Sequence, residues 1–225
     1  MANTDEIAHR VADLLLPDLS KFRYTRSRTQ LRRKGTDFSD DVIISVTTRS
    51  GTGYTLAFYT GVAHSETEKL VADLEKRKVT PYDRTVFQYS VNQTSFQQLG
   101  FEGNTWWSGL PQKTDLSEIE AEIHGFIDEC ALSYFDHFHD MSRMRHSLVT
   151  RDGLSLNLNP FKQVLAMDAV LKDAKHAEGF LDFLQEEVNH GCNHDVDSFN
   201  TFYELLVESF PQTFPQFKLQ TKLRA

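Results

Sequence analysis

Residues 41–62 read DVIISVTTRSGTGYTLAFYTGV, and they carry the clearest signal for the fold of the chain. Its two ends, Asp41–Arg49 and Tyr54–Val62, are rich in β-branched and aromatic residues, which favour extended strands. Between them, Ser50-Gly51-Thr52-Gly53 supplies glycines that tolerate the positive φ angles of a hairpin turn. The stretch therefore predicts two antiparallel strands joined by a tight turn.

Two further strands are predicted on either side of this hairpin. Residues Lys21–Lys34 place arginine and threonine between apolar positions, and Arg84–Val91 reads RTVFQYSV. Both patterns indicate strands, because β-branched and aromatic residues pack well on a pleated surface. Gly100–Pro111, which contains two tryptophans and two glycines, is predicted to be a loop.

Apolar residues at helical spacing predict a helix over Thr4–Leu16 and another over Ser65–Lys78, where Ser65 and Glu68 stand at the spacing of a capping box. From Asp115 to Leu148 apolar residues recur at intervals of three and four, which predicts a long helix with a break near His137–Asp140. Three more helices are predicted after Asn159, and the segment from Gln212 is either a docked extended strand or disordered.

Strands in the first half followed by helices in the second half are typical of an α+β protein. We therefore predict an antiparallel sheet of about four strands with flanking helices in residues 1–112. A helical part follows in residues 113–225, and the two parts are expected to pack together as one unit.

The chain has 225 residues and a net charge of −8. Such a negative balance repels phosphate backbones and anionic lipid, and it attracts basic partners. No apolar run approaches the roughly 18 residues of a membrane span, and the first residues lack the pattern of a secretory signal. A cytoplasmic location is therefore predicted, with Cys130 and Cys192 as free thiols.

Acidic residues concentrate at the start of the predicted long helix. The candidate partner-binding carboxylates are Asp115, Glu118, Glu120, Glu122, Asp128 and Glu129. Complementary charge accelerates encounter with a basic protein and enforces specificity, although the same acids could form an ordinary solvated helix face. Trp106 and Trp107 stand just before them, and paired tryptophans suit either a recognition platform or core packing.

Positive charge concentrates in the predicted strand Lys21–Lys34, which carries seven basic residues and no acidic ones. The candidate anion-binding residues are Arg26, Arg28, Arg32 and Arg33. An arginine-rich strand suits a phosphate, a nucleic acid or an acidic protein. The overall negative charge opposes nucleic acid, and arginines at strand spacing can also coat a solvent face or pair with acidic helices.

Sites for metals, nucleotides and covalent catalysis are poorly supported. His190, Cys192 and His194 form one compact group, whereas a structural zinc site normally uses two separated ligand pairs. Neither a nucleophile elbow nor a phosphate-binding glycine loop occurs. Cys130 falls on the apolar stripe of its helix and is predicted to be core. No catalytic residue, cofactor or metal ligand is therefore assigned.

The order of segments resembles that of uncharacterised bacterial domains of unknown function, some of which are suspected toxin-immunity proteins. The likeness spans about residues 5 to 150. It rests on the strand YTLAFYTGV at Tyr54–Val62, on Trp106-Trp107, and on DECALSYFDHFHDMSRMRHSL at Asp128–Leu148. The resemblance implies an inhibitor that works by occlusion, and it supplies no catalytic residues.

These observations favour a non-catalytic binding protein, of the immunity type, that covers a basic protein partner with an acidic surface. Two alternatives remain open. One is a metal-dependent enzyme with a site of histidine, aspartate and glutamate. The other is a nucleic-acid accessory protein that uses the basic residues 21–34.

Overall fold

The chain folds as an antiparallel sheet followed by a layer of helices, which confirms the predicted α+β class. The computed structural model describes residues 4–17, 19–49, 53–80, 83–90, 92–110, 116–156, 160–190 and 195–220. Within these ranges the strands are β1 Arg23–Thr25, β2 Gln30–Lys34, β3 Phe38–Arg49, β4 Gly53–His64, β5 Val86–Tyr89 and β6 Trp107–Leu110. The helices are α1 Thr4–Leu15, α2 Ser65–Leu74, α3 Gln93–Gln97, α4 Glu120–Gly125, α5 Leu132–Phe138, α6 Met141–Thr150, α7 Phe161–Leu171, α8 Ala174–Asn189 and α9 Val196–Ser209.

The long hairpin β3–β4 is the centre of the sheet. Its register pairs Val42 with Thr60 and runs without interruption from Phe38–His64 to Arg49–Gly53. Of the predicted turn, Ser50–Gly53, residues 50–52 lie outside the described residues, and Gly53 begins β4. On its other edge β4 pairs with β5 over residues 59–62 and with β6 near Tyr54, so two short strands share one edge of the longest strand.

The described sheet has six strands rather than the predicted four. One added strand is β6, which lies inside the predicted loop Gly100–Pro111. The other arises because Lys21–Lys34 is not a single strand: β1 and β2 are antiparallel, and a short 3-10 turn at Arg26–Arg28 joins them. The basic segment is therefore a hairpin that extends the sheet beyond β3.

The core lies against one face of the sheet. Alternate residues of β3 and β4, including Val42, Ile44 and Phe58, are almost fully buried there. Phe58 stacks on Phe126 with ring centroids 5.1 Å apart, so the sheet and the C-terminal helices share one hydrophobic core. The predicted boundary between residues 112 and 113 falls outside the described residues.

The predicted long helix is divided as its sequence indicated. A 3-10 turn at Leu116–Glu118 precedes α4, and a π-helical segment, Phe126–Ala131, follows α4 and leads into α5. The predicted break is confirmed: α5 ends at Phe138, and α6 begins after Asp140, whose carboxylate caps it by accepting from Ser142 N.

The capping box predicted for α2 is wrong. The cap is His64, whose ring Nδ1 accepts from Thr67 N, while Glu68 is buried and accepts from Thr85 Oγ1 at 2.8 Å. Glu68 is thus turned into the protein rather than back along the helix terminus.

The C-terminal half is organised around α7, which is apolar on nearly all sides and therefore buried. The segment after α9 is docked as far as residue 220: Phe214 and Leu219 are buried, and Asn200 exchanges two hydrogen bonds with the backbone of Leu219. Within the described residues, no helix is both long enough and apolar enough to span a bilayer.

Candidate functional site

Exposed carboxylates follow the chain from the 3-10 turn before α4 to the start of α6. They are Glu118, Glu120, Glu122, Asp128, Glu129, Asp136 and Asp140, and residues 116–142 contain no lysine or arginine. We call this set the acidic surface. Asp115, the remaining predicted member, lies outside the described residues. Because like charges repel, a cluster without interspersed cations destabilises the folded state.

Few described groups offset this charge. Glu120 lies 3.8 Å from the ring of His124, and Asp140 lies 4.0 Å from Arg143. Among the described residues, no ion pair involves Glu118, Asp128 or Glu129. The negative potential of the acidic surface is therefore left for solvent ions or for a partner.

Glu122 accepts hydrogen bonds from two neighbouring side chains, which fix the position of its carboxylate. It accepts from Asn104 Nδ2 at 3.0 Å and from Trp107 Nε1 at 2.7 Å. These two bonds hold the pKa of Glu122 below its usual range, so the group stays charged. Strand β6 thereby ties the acidic surface to the sheet.

The two tryptophans differ as strand alternation suggests. The ring of Trp107 is buried and packs edge-on against Phe58, with centroids 6.0 Å apart, whereas Trp106 is half-buried. Trp107 therefore contributes to the core and orients Glu122, and Trp106 is the residue of the pair that is open to contact.

The four candidate anion-binding arginines are not brought together. Arg26 and Arg28 lie in the turn between β1 and β2. Arg32 and Arg33 are consecutive in β2, so their side chains point to opposite faces of the sheet. No single surface of the hairpin presents all four.

Arg32 and Arg33 are each paired with an aspartate on β3. Arg33 donates from Nε to Asp40 Oδ2 at 2.6 Å, and Arg32 Nε lies 3.5 Å from Asp41 Oδ1. Asp41 also lies 3.4 Å from Arg84 Nε and accepts from Gln30. Burial raises the pKa of Asp41, and the two guanidinium groups oppose that shift.

Asp40 also contacts the helical half of the protein. Its Oδ1 lies 2.6 Å from Nε2 of His139, which follows α5, and its side chain is only 2% exposed. The ring of His139 stacks on Phe38 with centroids 4.9 Å apart. Asp40 therefore orients both Arg33 and His139.

These oriented groups lie in the wall of a cleft of about 790 Å³. We call it the basic cleft and define it by Lys21, Phe22, Arg23, Arg33, Lys34 and His139. Of the four predicted anion-binding arginines, only Arg33 lines this cleft; Lys21, Arg23 and Lys34 belong to the same basic segment, and Asp40 and His139 were missed. One signal was present: Arg32-Arg33 and Asp40-Asp41 are symmetric about the turn at residues 35–38, so a hairpin sets the charges opposite each other.

Among the described residues, no group of three or more histidine, cysteine, aspartate or glutamate side chains could hold a metal ion. Of the predicted compact group, Cys192 and His194 lie outside the described residues, and His190 Nδ1 is 2.8 Å from Glu186 O. Cys130 is buried as predicted, and burial raises the pKa of its thiol far above the usual range. It is therefore unsuited to nucleophilic chemistry.

Comparison of the chain with protein-family models, with curated proteins and with solved structures gives no match.

Proposed function

We propose that this chain is a non-catalytic binding protein that covers a basic protein partner with its acidic surface. One observation carries the proposal: the exposed carboxylates of residues 116–142 are not interspersed with any lysine or arginine. The chain as a whole has a net charge of −8, so a large share of its excess negative charge is concentrated in this one segment.

The physical reason is that uncompensated charge of one sign steers an oppositely charged protein toward the surface and raises the association rate. Glu122 adds orientation, because Trp107 and Asn104 hold its carboxylate in one position. Trp106 stands next to that anchor as a half-buried aromatic ring, a residue type enriched at the energetic centres of interfaces. This function is the one implied by the resemblance to suspected immunity proteins, and it needs no reactive group.

The test begins with capture of partners from the native cell, followed by rate measurements on the purified pair. We expect the association rate constant to fall steeply as ionic strength rises, because exposed charges are screened over about 10 Å at 0.1 M salt. The triple variant Glu118→Gln, Asp128→Asn, Glu129→Gln is expected to associate about tenfold more slowly.

A matched variant separates the site from net charge. Glu178, Asp182 and Glu204 are also exposed and lie on α8 and α9, away from the acidic segment. Their replacement by the corresponding amides removes the same charge and should change the rate less than about threefold. A partner whose association ignores salt, or responds equally to both variants, would contradict the proposal.

A further inference from the structure

The basic cleft has the features of a site for a small anion. Its volume, about 790 Å³, is within the roughly 300–1,000 Å³ of small-molecule sites. Its charged lining comprises four cationic side chains, Lys21, Arg23, Arg33 and Lys34, and three carboxylates, Asp37, Asp40 and Asp136, so one positive charge is in excess in a chain whose overall charge is negative. A local excess of cations against the overall charge concentrates field where an anion would enter.

The centre of the cleft is preorganised by a buried carboxylate. Asp40 fixes Arg33 through Nε and His139 through Nε2, each at 2.6 Å. The guanidinium of Arg33 also lies over the rings of Phe22 and Phe135, at 5.2 and 5.9 Å from their centroids. Packing and a buried partner that hold functional side chains in one geometry reduce the entropy lost when a ligand binds.

Arg33 and His139 both have polar atoms that do not contact Asp40 and could bind a ligand. Among the described residues, Arg33 gives only its Nε to a carboxylate, so its two terminal nitrogens remain as donors at the cleft. A guanidinium presents such donors in a planar fork that matches a phosphoryl or carboxylate group. The ring of His139 uses Nε2 for Asp40, which leaves Nδ1 as its second polar atom.

Three exposed cations beside the cleft are not engaged in ion pairs with other described residues. Within the part of the chain that the structure describes, Lys21, Arg23 and Lys34 are exposed and form no ion pair. Asp37 and Asp136 also line the cleft, so its cations alternate with carboxylates and do not form the continuous positive groove that follows a nucleic-acid backbone. This distribution favours a small, compact ligand over a nucleic-acid strand.

We propose that the basic cleft binds a small phosphoryl-bearing molecule, with Arg33 and His139, both held by Asp40, as its oriented polar groups and with Arg23 and Lys34 as exposed cations beside them. This site adjoins the acidic surface at Asp136, but it does not depend on the function proposed for that surface. A partner-free preparation of the full chain is sufficient to test it.

The probes are inorganic phosphate, phenyl phosphate and a ten-nucleotide single strand, each titrated at constant ionic strength while the histidine ring signals are followed by NMR. We expect saturable shifts of the His139 ring with the two small probes and none of comparable affinity with the oligonucleotide. Chloride at the same ionic strength should leave the ring unchanged.

Two charge-matched variants make the test specific. Arg23→Gln with Lys34→Gln removes rim cations and should weaken phosphate binding at least tenfold. Arg10→Gln with Lys175→Gln removes the same charge from exposed positions outside the cleft and should change affinity less than about twofold. His139→Gln should weaken binding further in a protein whose fold is verified by its amide spectrum.

Three results would overturn the proposal. One is the absence of a saturable His139 shift with either small probe. Another is equal weakening by the two double variants, which would indicate net charge alone. The last is binding of the oligonucleotide in preference to phosphate, which would make the cleft part of a nucleic-acid surface.

Discussion

Buried carboxyl groups in this protein differ in whether a neighbouring basic side chain compensates their charge. Asp40, Asp41 and Asp168 each have an arginine within ion-pair distance. The Arg33–Asp40 and Arg145–Asp168 pairs are both separated by 2.6 Å. Glu68 has only the hydroxyl of Thr85 on one oxygen, and among the described residues its Oε2 has no hydrogen-bond partner. Burial raises the pKa of Glu68 to about 7, so near neutral pH the fold favours the protonated acid.

We predict that Glu68 makes stability fall as pH rises. Its pKa in the folded state lies above the ordinary value of 4.5, so the folded chain binds more protons than the unfolded chain between these values. Ionisation is then unfavourable for folding, and the loss is on the order of 3 kcal/mol once the pH exceeds about 7.

Glu68→Gln removes this titration and keeps an acceptor for Thr85. Urea unfolding at about pH 5 and pH 8 measures the free energy of unfolding of both proteins. The difference between variant and wild type should shift by roughly 2–3 kcal/mol in favour of the variant from the lower to the higher pH. Glu66→Gln, an exposed change on the same helix, is the control and should track the wild type. Parallel pH profiles for wild type and Glu68→Gln would contradict the assignment.

At the scale of elements, two glycines show opposite requirements. Gly179 lies in α8, and a Cβ added there would meet no atom within 4 Å. Gly53 opens β4 with φ of +100°, and a Cβ there would lie 2.1 Å from the carbonyl oxygen of Leu110 in β6. The first glycine is dispensable, whereas the second permits the close approach of two strands.

We therefore predict that Gly179→Ala stabilises the protein by about 0.5–1 kcal/mol, because alanine loses less backbone entropy in a helix. Gly53→Ala is expected to destabilise it by more than about 1 kcal/mol, through positive φ and the clash with Leu110. Thermal unfolding of the two variants beside the wild type measures both effects. A Gly53→Ala variant as stable as the wild type would show that the β4–β6 contact is not formed as described, and a destabilised Gly179→Ala variant would contradict the open space at that helix position.

The elements that sequence could predict are those with strong local signals. The hairpin β3–β4 follows from its β-branched residues, and the break before α6 coincides with Asp140, a good helix cap. The turn between β1 and β2 was missed because it contains neither glycine nor proline; instead Thr29 adopts the left-handed conformation at φ 47°. Strand β6 was missed because it is short and gains its order from pairing with β4.

The two candidate sites also differ in how far the sequence can predict them. The acidic surface could be predicted because a run of acids without bases is visible in the sequence itself. The basic cleft could not, since its central pair joins Asp40 to His139 across 99 positions of sequence. Only the packing of α5 against the sheet brings these side chains together.

For the whole molecule, charge is separated between two regions of the surface. The acidic surface concentrates carboxylates on the helical layer, and the basic cleft gathers cations beside the β1–β2 hairpin. Uncompensated like charge lowers folding stability, so a surface that is retained for binding is expected to cost stability.

We predict that neutralising the acidic surface stabilises the fold. The variant Glu118→Gln, Asp128→Asn, Glu129→Gln should raise the free energy of unfolding by about 0.5–1 kcal/mol at low salt, from relief of repulsion worth a few tenths of a kcal/mol per pair. The gain should shrink near 1 M salt, where screening extends over only about 3 Å. Denaturant unfolding at the two salt concentrations measures it, and a loss of stability at low salt would contradict it.

The ion pairs made by Asp40 and Asp41 of β3 also determine the register between β2 and β3. Sliding β2 by two residues would leave every apolar side chain on its own face, because side-chain direction repeats every second residue. The same slide would move the guanidinium of Arg33 from Asp40 to Val42 or Phe38 and leave Asp40 buried without its arginine. Hydrophobicity alone tolerates that misalignment, whereas the two adjacent ion pairs, Arg33–Asp40 and Arg32–Asp41 on opposite faces of the sheet, can both form only in the observed register.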